Sequence, residues 1–402
     1  MTNLNFRNQK IDFLRGLAII AVLILHFNIS YHISESTLNK IFSVSFLNSI
    51  ASNGNYGVTM FFVISGFLIT RTSLERYSEL GNIDIVGFYI LRFARIMPCL
   101  VLVITLITIF SLAQIPIFQN HPNSTTLFIA VLSVLTFWHN LLMEKVGYFN
   151  YCLNIFWSLS VEEIFYIAFP VLCLFFKKTK LIIPFLVSLI IIGPIYRSFY
   201  TDNEIVALYG YFSCFDAIAI GCCAALLAGK VQLKGLLVNS IRYGAWILIV
   251  IVYLYSGIME NVVAGISLIA FGTTILLILA SQKSSHQPLQ MNLFSRAICW
   301  FGKNTYELYL FHIIVLAVMK ETITPERLGD FSKLLWMATF IIVSAIVAGT
   351  IAKYYSQPLN KKLRLLFFGL RKRNIKSAAK CKPVSIYNST IQLKKKIGPD
   401  YL

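Results

Sequence analysis

The chain has 402 residues, of which 57% are hydrophobic and 13% charged, with a mean hydropathy of +0.73. This composition excludes a soluble domain and predicts an all-α polytopic membrane protein. The formal net charge of +18 resembles that of a nucleic-acid-binding protein. However, the lysines and arginines collect in loops and at the C-terminus, as they do on the cytoplasmic side of membrane proteins. We therefore predict membrane lipid and no nucleic acid as a partner.

Eleven apolar segments follow one another along the chain. They lie at 11–30, 48–70, 84–113, 124–143, 155–176, 180–199, 205–228, 242–257, 261–281, 296–319 and 333–355. The positive charges between segments indicate which loops are cytoplasmic. The assignments made from the two ends of the chain agree only if one segment does not cross the membrane. The 124–143 segment carries Trp138, His139 and Asn140, which suit an interface, so we interpret it as re-entrant or interfacial. Ten spans with both termini cytoplasmic are predicted.

The chain reads as one membrane domain over 1–356, followed by a basic tail over 357–402 whose composition suits anionic lipid. No internal repeat is visible. No cleavable signal peptide is expected, because the first apolar run lacks a small-residue cleavage site. The eight cysteines form no C-x-x-C pairs and read as apolar packing residues. No metal site is predicted, since no His/Cys/Asp cluster has ligand spacing.

The first segment contains two polar side chains, Arg15 and His26, separated by an apolar run. Eleven residues make about three helical turns, so both project from one face, separated by roughly 16 Å along the axis. Such groups are costly in hydrocarbon and are rarely kept without a use. The pair predicts a cation at one membrane face and a proton-transfer group deep inside.

The second and third segments place arginines at the cytoplasmic side. Arg71 follows the second span, and Arg92 and Arg95 share one helix face at the entrance of the third. Each alone reads best as a positive-inside anchor, but three together also suit a phosphate clamp. The small pair Ser65-Gly66 in the second span is interpreted as a helix packing contact.

The fifth segment has two consecutive acids, Glu162 and Glu163. They point about 100° apart, so they do not share a face. Ser158, Glu162 and Tyr166 follow an i, i+4 line. A functional role is the default for a carboxylate inside the membrane, and pairing with an arginine for assembly is the structural alternative.

The tenth segment carries Tyr306, Tyr309 and His312 at spacings of three, which places them on one face. Counting spans places His312, His26 and Glu162 at similar depth in the outer half of the bilayer. The arginines gather at the opposite, cytoplasmic side. Asp216 in the seventh span is a further candidate, and packing with Gly221 explains it about equally well.

An ordered set of motifs resembles the membrane acyltransferase-3 family of O-acyltransferases from about Ile11 to Pro358. The motifs are IDFLRGLA with His26, FFVISGFL, FYILRFARIMP, FWSLSVEEIFY, FDAIAIG and FGKNTYELYLFH. The resemblance implies ten spans, a cytoplasmic acyl-CoA donor (often acetyl-CoA), an extracytoplasmic or lipid-linked glycan acceptor such as O-antigen, capsule or exopolysaccharide, and a bacterial plasma-membrane location. It matches the family's functional residues to Arg15, His26, Arg92, Arg95 and Glu162.

The chain departs from the family pattern at three positions. Ser213 stands where an arginine is frequent, Gln357 where a glutamate is frequent, and Glu307 where a small or neutral residue is usual. These departures weaken the prediction of which acceptor the protein uses more than the prediction of the reaction it catalyses. Many relatives carry an appended hydrolase-like domain, for which this chain has no room.

These residues suggest a mechanism in which His26 deprotonates the acceptor hydroxyl or takes the acyl group transiently. Glu162 would orient or charge-balance the imidazole, and Arg15 would complete the catalytic set. Arg71, Arg92 and Arg95 would hold the donor. Further substrate-lining candidates are Ser158, Tyr166, Tyr306, Tyr309, His312 and Asp216. The alternative is a proton-coupled transporter or flippase for a lipid-linked sugar, against which the missing inverted repeat and the ordered motifs argue.

Overall fold

The computed structural model describes residues 8–33, 43–231, 235–282 and 291–380, with side chains as far as Arg371. Of the described residues, 83% are helical and none forms a strand. The predicted all-α membrane bundle is confirmed. Its α-helices in chain order are α1 (Gln9–Tyr31), α2 (Val44–Ser52), α3 (Asn55–Tyr77), α4 (Ile85–Leu112), α5 (Leu127–Leu135), α6 (His139–Val146), α7 (Trp157–Phe176), α8 (Thr179–Phe199), α9 (Glu204–Tyr209), α10 (Tyr211–Ala228), α11 (Leu236–Tyr255), α12 (Ala264–Ala280), α13 (Leu293–Lys303), α14 (Thr305–Thr322), α15 (Asp330–Ile351) and α16 (Gln357–Lys380).

Eight helical segments within the described ranges are long and apolar enough to cross a membrane. They contain α1, α3, α4, α7, α8, α10, α11 and α15. Two further helices, α12 with 17 residues and α14 with 18, are long enough to span most of a hydrocarbon layer about 30 Å thick. Together these ten helices correspond to the ten segments for which the sequence predicted a crossing.

The segment predicted to be re-entrant or interfacial forms the two short helices α5 and α6. They have 9 and 8 residues, so each is about 12–14 Å long and too short to cross alone. His139 and Asn140, two of the residues on which the interfacial interpretation rests, are fully buried within the protein. His139 Nδ1 lies 2.8 Å from Ser133 Oγ, and the Asn140 amide donates to the Tyr209 carbonyl.

Glycines bring two pairs of helices into close contact. A Cβ added to Gly66 of α3 would lie 2.0 Å from the carbonyl oxygen of Ile218 in α10. A Cβ added to Gly221 of α10 would lie 2.0 Å from the carbonyl oxygen of Val63 in α3. Gly16 of α1 and Gly302 of α13 make an equivalent crossing. The packing interpretation of Gly66 is therefore supported, and Gly221 packs on α3 rather than against Asp216.

The tenth apolar segment, 296–319, was predicted as a single span. In the structure it forms two helices. It breaks at Asn304, whose amide donates to the Trp300 carbonyl at 3.0 Å, between α13 and α14. The break lets α13 lie across α1, while α14 enters the bundle carrying the predicted tyrosine and histidine face.

The predicted boundary at residue 357 falls within continuous helix. A π-helical turn, Ala352–Ser356, joins α15 directly to α16. α16 packs on α4: Tyr355 just before it donates to the Pro98 carbonyl at 3.2 Å, and the rings of Phe367 and Phe93 lie 6.0 Å apart. The part of the predicted tail at 381–402 lies outside the described residues.

Candidate active site

Two histidines from opposite ends of the chain meet inside the bundle. The ring centroids of His26 on α1 and His312 on α14 lie 5.0 Å apart, with the ring planes inclined by 46°. His312 has no exposed surface, whereas His26 keeps part of its surface accessible. The site predicted at this depth therefore contains two imidazoles in contact.

Hydrogen bonds to the backbone set the tautomer of His312. Its Nδ1 lies 2.8 Å from the Tyr309 carbonyl oxygen and 3.1 Å from that of Leu308. Carbonyl oxygens only accept, so Nδ1 carries the proton and Nε2 carries a lone pair. Nε2 is buried and has no hydrogen-bond partner among the described residues. It is therefore available to accept a proton, or a hydrogen bond from a substrate hydroxyl.

The predicted face of α14 lies against α7 and α4. The Tyr309 ring is 5.9 Å from that of His312, and its hydroxyl is 2.5 Å from Ser158 Oγ on α7. The Tyr306 hydroxyl donates to the Ile96 carbonyl of α4 at 2.6 Å. Tyr309 thus connects the histidine pair to the predicted stripe on α7.

Glu162 is the middle residue of this stripe and interacts with the arginines. Ser65 of α3 donates a hydrogen bond to its carboxylate, and Ser65 also bonds the Tyr166 hydroxyl. The carboxylate interacts electrostatically with Arg92, Arg95 and Arg15. Sequence reasoning assigned Ser65 to packing alone and missed this contact.

The structure does not bring Glu162 to His26 in any hydrogen bond or ion pair of the described chain. The charged group that acts on His26 is His312. Glu162 interacts electrostatically with Tyr309, and the Tyr309 ring lies next to the His312 ring. Tyr309 therefore lies between Glu162 and the histidines. No hydrogen bond or ion pair of the described chain supports the predicted role of Glu162 as the direct partner of His26.

The arginines of α4 line the end of the site that was predicted to be cytoplasmic. The Arg92 guanidinium lies 4.2 Å from the Tyr166 ring centroid and 5.9 Å from that of Phe88. Arg92 and Arg95 both act on Glu162 and on its neighbour Glu163, which is 7% exposed and has one oxygen without a partner in the described chain. Glu163 therefore faces other helices rather than the interface.

Arg71, the third predicted donor ligand, is engaged elsewhere. Its Nε lies 2.8 Å from Glu75 of its own helix, and its guanidinium lies 5.8 Å from the Phe67 ring centroid. Arg364 of α16 interacts electrostatically with Arg95, Arg76 and Arg92 instead. The sequence analysis placed Arg364 in the tail and did not assign Arg76 to the donor site.

Asp216 belongs to a separate buried network. It pairs with Arg197 of α8 at 2.7 Å, and both side chains are fully buried. Arg197 also donates to the Ser213 carbonyl and to Ser267 Oγ. Gly193 lies directly against Asp216 and leaves room for it. The sequence signal for this pair was an arginine inside the apolar segment 180–199, which was not weighed.

The described residues contain no group of three or more His, Cys, Asp or Glu side chains placed to hold a metal ion. The site is instead a connected series of polar groups. It runs from the histidine pair through Tyr309 with Ser158, and Glu162 with Ser65, to the arginines of α4. Over the length of α1 between Arg15 and His26 this series extends about 16 Å.

Comparisons with known proteins show which proteins this chain is similar to. The chain is 25% identical over 373 residues to the O-acetyltransferase OatA of Staphylococcus aureus, covering 88% of this chain and 57% of that protein. It is 25% identical over 399 residues to the peptidoglycan O-acetyltransferase OatA of Listeria monocytogenes, covering 91% of this chain and 58% of that protein. The chain thus spans little more than half the length of these relatives.

A putative O-acetyltransferase of Staphylococcus aureus is 26% identical over 330 residues, covering 76% of this chain and 50% of that protein. No solved structure matches. Residues 8–355 match the family described as an acyltransferase domain, which confirms the predicted enzyme class. The chain belongs to the membrane acyltransferase-3 family.

Proposed function

We propose that the protein is an integral membrane O-acetyltransferase that moves an acetyl group from cytoplasmic acetyl-CoA to a hydroxyl of an extracytoplasmic or lipid-linked glycan. The observation that carries this proposal is the series of polar groups joining the α4 arginines to the histidine pair. In this proposal the arginines form a phosphate-binding end and the histidines a proton-accepting end of one bundle, about 16 Å apart.

The arginines suit the donor. Acyl-CoA carries several phosphates, and guanidinium groups bind them through forked, charge-assisted hydrogen bonds. Glu162 accepts from Ser65 and interacts with three arginines, so its role in this proposal is to hold their guanidinium groups in place. The flexible arm of CoA would extend from this end towards the histidines.

The histidines suit the transfer step. An imidazole nitrogen of His26 takes the proton of the acceptor hydroxyl, and the oxygen attacks the thioester carbonyl. As the carbon–sulfur bond breaks, the proton on His26 passes to the sulfur of CoA, which leaves as a free thiol. His312, with its lone pair on Nε2, positions the acceptor hydroxyl or shares the proton with His26.

The experiment is an acetyl-transfer assay with membranes that contain the full chain. Labelled acetyl-CoA is supplied, and release of CoA thiol and label in glycan are both followed, with peptidoglycan and lipid-linked glycan as separate acceptors. Label in a glycan that is lost in His26→Ala supports the proposal. Movement of a lipid-linked sugar across the bilayer without release of CoA thiol would favour the flippase instead.

The relatives named above include a peptidoglycan O-acetyltransferase, and this makes peptidoglycan the first acceptor to test. Mass spectrometry of surface glycans from a deletion strain, compared with the parent, would identify the modified sugar and hydroxyl. A deletion strain whose glycans keep every acetyl group would contradict the proposal.

A further inference from the structure

We propose that α16 forms one wall of a phosphate-binding site, in which Arg364 acts together with Arg95, Arg92 and Arg76. This inference rests on the proposed function, because it assigns part of the donor site to a helix that the sequence places in a lipid-binding tail. It adds a binding residue from the last helix to those of α4.

Contacts along its length hold α16 on the cytoplasmic half of α4. At its far end Arg371 makes two hydrogen bonds to the carboxylate of Asp84, the residue that precedes α4. Phe367 lies edge-on to Phe93, and at the near end Tyr355 bonds the Pro98 carbonyl. The two helices therefore run antiparallel, and Arg364 falls at the level of the α4 arginines.

Arg364 stands among like charges. It interacts electrostatically with Arg95, Arg76 and Arg92, and no ion pair between described residues involves Arg364 or Arg76. The nearest acid of the site, Glu162, already interacts with Arg92, Arg95 and Arg15. Guanidinium groups repel one another at close range, so an additional anion among them would stabilise the cluster.

Two polar atoms of α16 also lack partners. Arg364 Nε and Asn360 Oδ1 are both buried and make no hydrogen bond within the described chain. The residues are four apart and share a helix face. A buried Nε–H requires an acceptor, which a phosphate oxygen provides, and the Asn360 oxygen accepts from a hydroxyl or amide N–H of the same ligand.

Phosphate groups come from two sources at this depth, the donor and the phospholipid headgroups. Both would satisfy the guanidinium groups, and a basic helix on anionic lipid is the ordinary expectation. We favour the donor, because Arg92 and Arg95 belong to the polar series that leads to the histidines.

The test is CoA binding to the purified full chain in a non-ionic detergent without anionic lipid, measured by calorimetry. Arg364→Gln should weaken CoA binding by about 10-fold or more, since a charge-assisted hydrogen bond is lost. Arg364→Lys should restore part of the affinity, because it keeps the charge without the fork. The matched control is Lys361→Gln with Lys362→Gln, which removes two exposed charges from the same helix and should leave CoA affinity unchanged.

Thermal unfolding without ligand separates a folding defect from a binding defect, and the proposal requires the Arg364→Gln midpoint to match that of the control. A second arm uses vesicles with and without phosphatidylglycerol. If Arg364→Gln binds CoA normally but loses stabilisation by phosphatidylglycerol, the phosphate belongs to lipid and the donor assignment is overturned. If neither response changes, the site itself is overturned.

Failure of the proposed function would look different. If the wild-type chain binds no CoA, inorganic pyrophosphate replaces it as the probe of the arginine cluster. Pyrophosphate binding that weakens in Arg364→Gln would retain the phosphate site while removing the CoA donor.

Discussion

His26 and His312 lie 5.0 Å apart, ring centroid to ring centroid, although one belongs to the first helix and the other to the fourteenth. His312 is fixed by two backbone carbonyls, whereas no hydrogen bond from the side chain of His26 to another described residue is seen. His26 also keeps accessible surface. A rigid ring beside an accessible one suits a pair in which His26 meets the substrate and His312 positions it.

His26→Ala should lower acetyl transfer by about 10²–10⁴-fold, the usual cost of removing a general base. The variant should still insert in the membrane and bind CoA, because the arginines are untouched. The measurement is the rate of glycan labelling at saturating donor. His121→Ala, a change at an exposed histidine, is the control, and near-normal transfer by His26→Ala would exclude the assignment.

Arg92→Ala and Arg95→Ala should each raise the KM for the donor, because each removes a charge-assisted phosphate contact. Lysine at either position should recover only part of the affinity, since it cannot make a forked bond. The KM for acetyl-CoA measures this, and Arg71→Ala should be milder, because Arg71 is paired with Glu75. Normal CoA binding with defective insertion would identify the arginines as topological anchors.

Glu162→Gln should lose most activity, whereas Glu163→Gln should be much milder. Both acids interact with Arg92 and Arg95, but Glu162 also interacts with Arg15 and accepts from Ser65, so losing its charge affects three guanidinium groups and the Ser65 hydrogen bond. The defect should appear mainly in the donor KM. Both changes alter the same helical turn, which controls for folding, and an equal or larger loss from Glu163→Gln would contradict the role of Glu162.

Asp84 and Arg371 should hold α16 on α4 in a pH-dependent way. Burial alone raises the pKa of Asp84, but hydrogen bonds from Arg371 and from the Gly87 and Val86 backbone outweigh it and hold the pKa below its ordinary value. A carboxyl with a depressed pKa stabilises the fold above its unfolded pKa, and the stabilisation is lost as pH falls through the folded pKa. The contribution should therefore be complete at neutral pH, begin to decline near pH 4 and be lost as the pH falls through the lowered pKa of Asp84.

The side chains of Asp84 and Arg371 are 37% and 34% exposed, so solvent screening keeps the contribution to about 1 kcal/mol or less. Asp84→Asn should lower the unfolding temperature slightly and flatten its dependence on acid pH. The exchanged pair Asp84→Arg with Arg371→Asp should recover part of the loss. An exchanged pair less stable than either single variant would show that the two side chains do not act as a pair.

Gly221→Ala should destabilise the protein by about 1–3 kcal/mol, the usual cost of overpacking. The new Cβ would lie 2.0 Å from the Val63 carbonyl oxygen, so α10 and α3 must separate. Gly244→Ala is the matched change, since nothing lies within 4 Å of its Cβ in α11, and it should be neutral or stabilising through helix propensity. Thermal unfolding in detergent measures both, and equal effects would contradict the close helix crossing.

Features that depend on short stretches of chain were predictable from the sequence. Apolar runs located the helices because a span needs about 20 apolar residues. Helical periodicity placed Tyr306, Tyr309 and His312 on one face. The ordered motifs identified the family, and the depth argument anticipated the approach of His26 to His312.

Pairings between distant helices were decided only by the tertiary structure. The sequence predicted that Glu162 contacts His26. In the structure α3 and α4 pack against α7, so Glu162 interacts with Ser65 and the arginines instead. Asp216 forms an ion pair with Arg197, and α16 packs against α4. Periodicity determines which face a side chain occupies, but the partner across that face depends on helix crossings set by contacts such as Gly66 on α10 and Gly302 on α1.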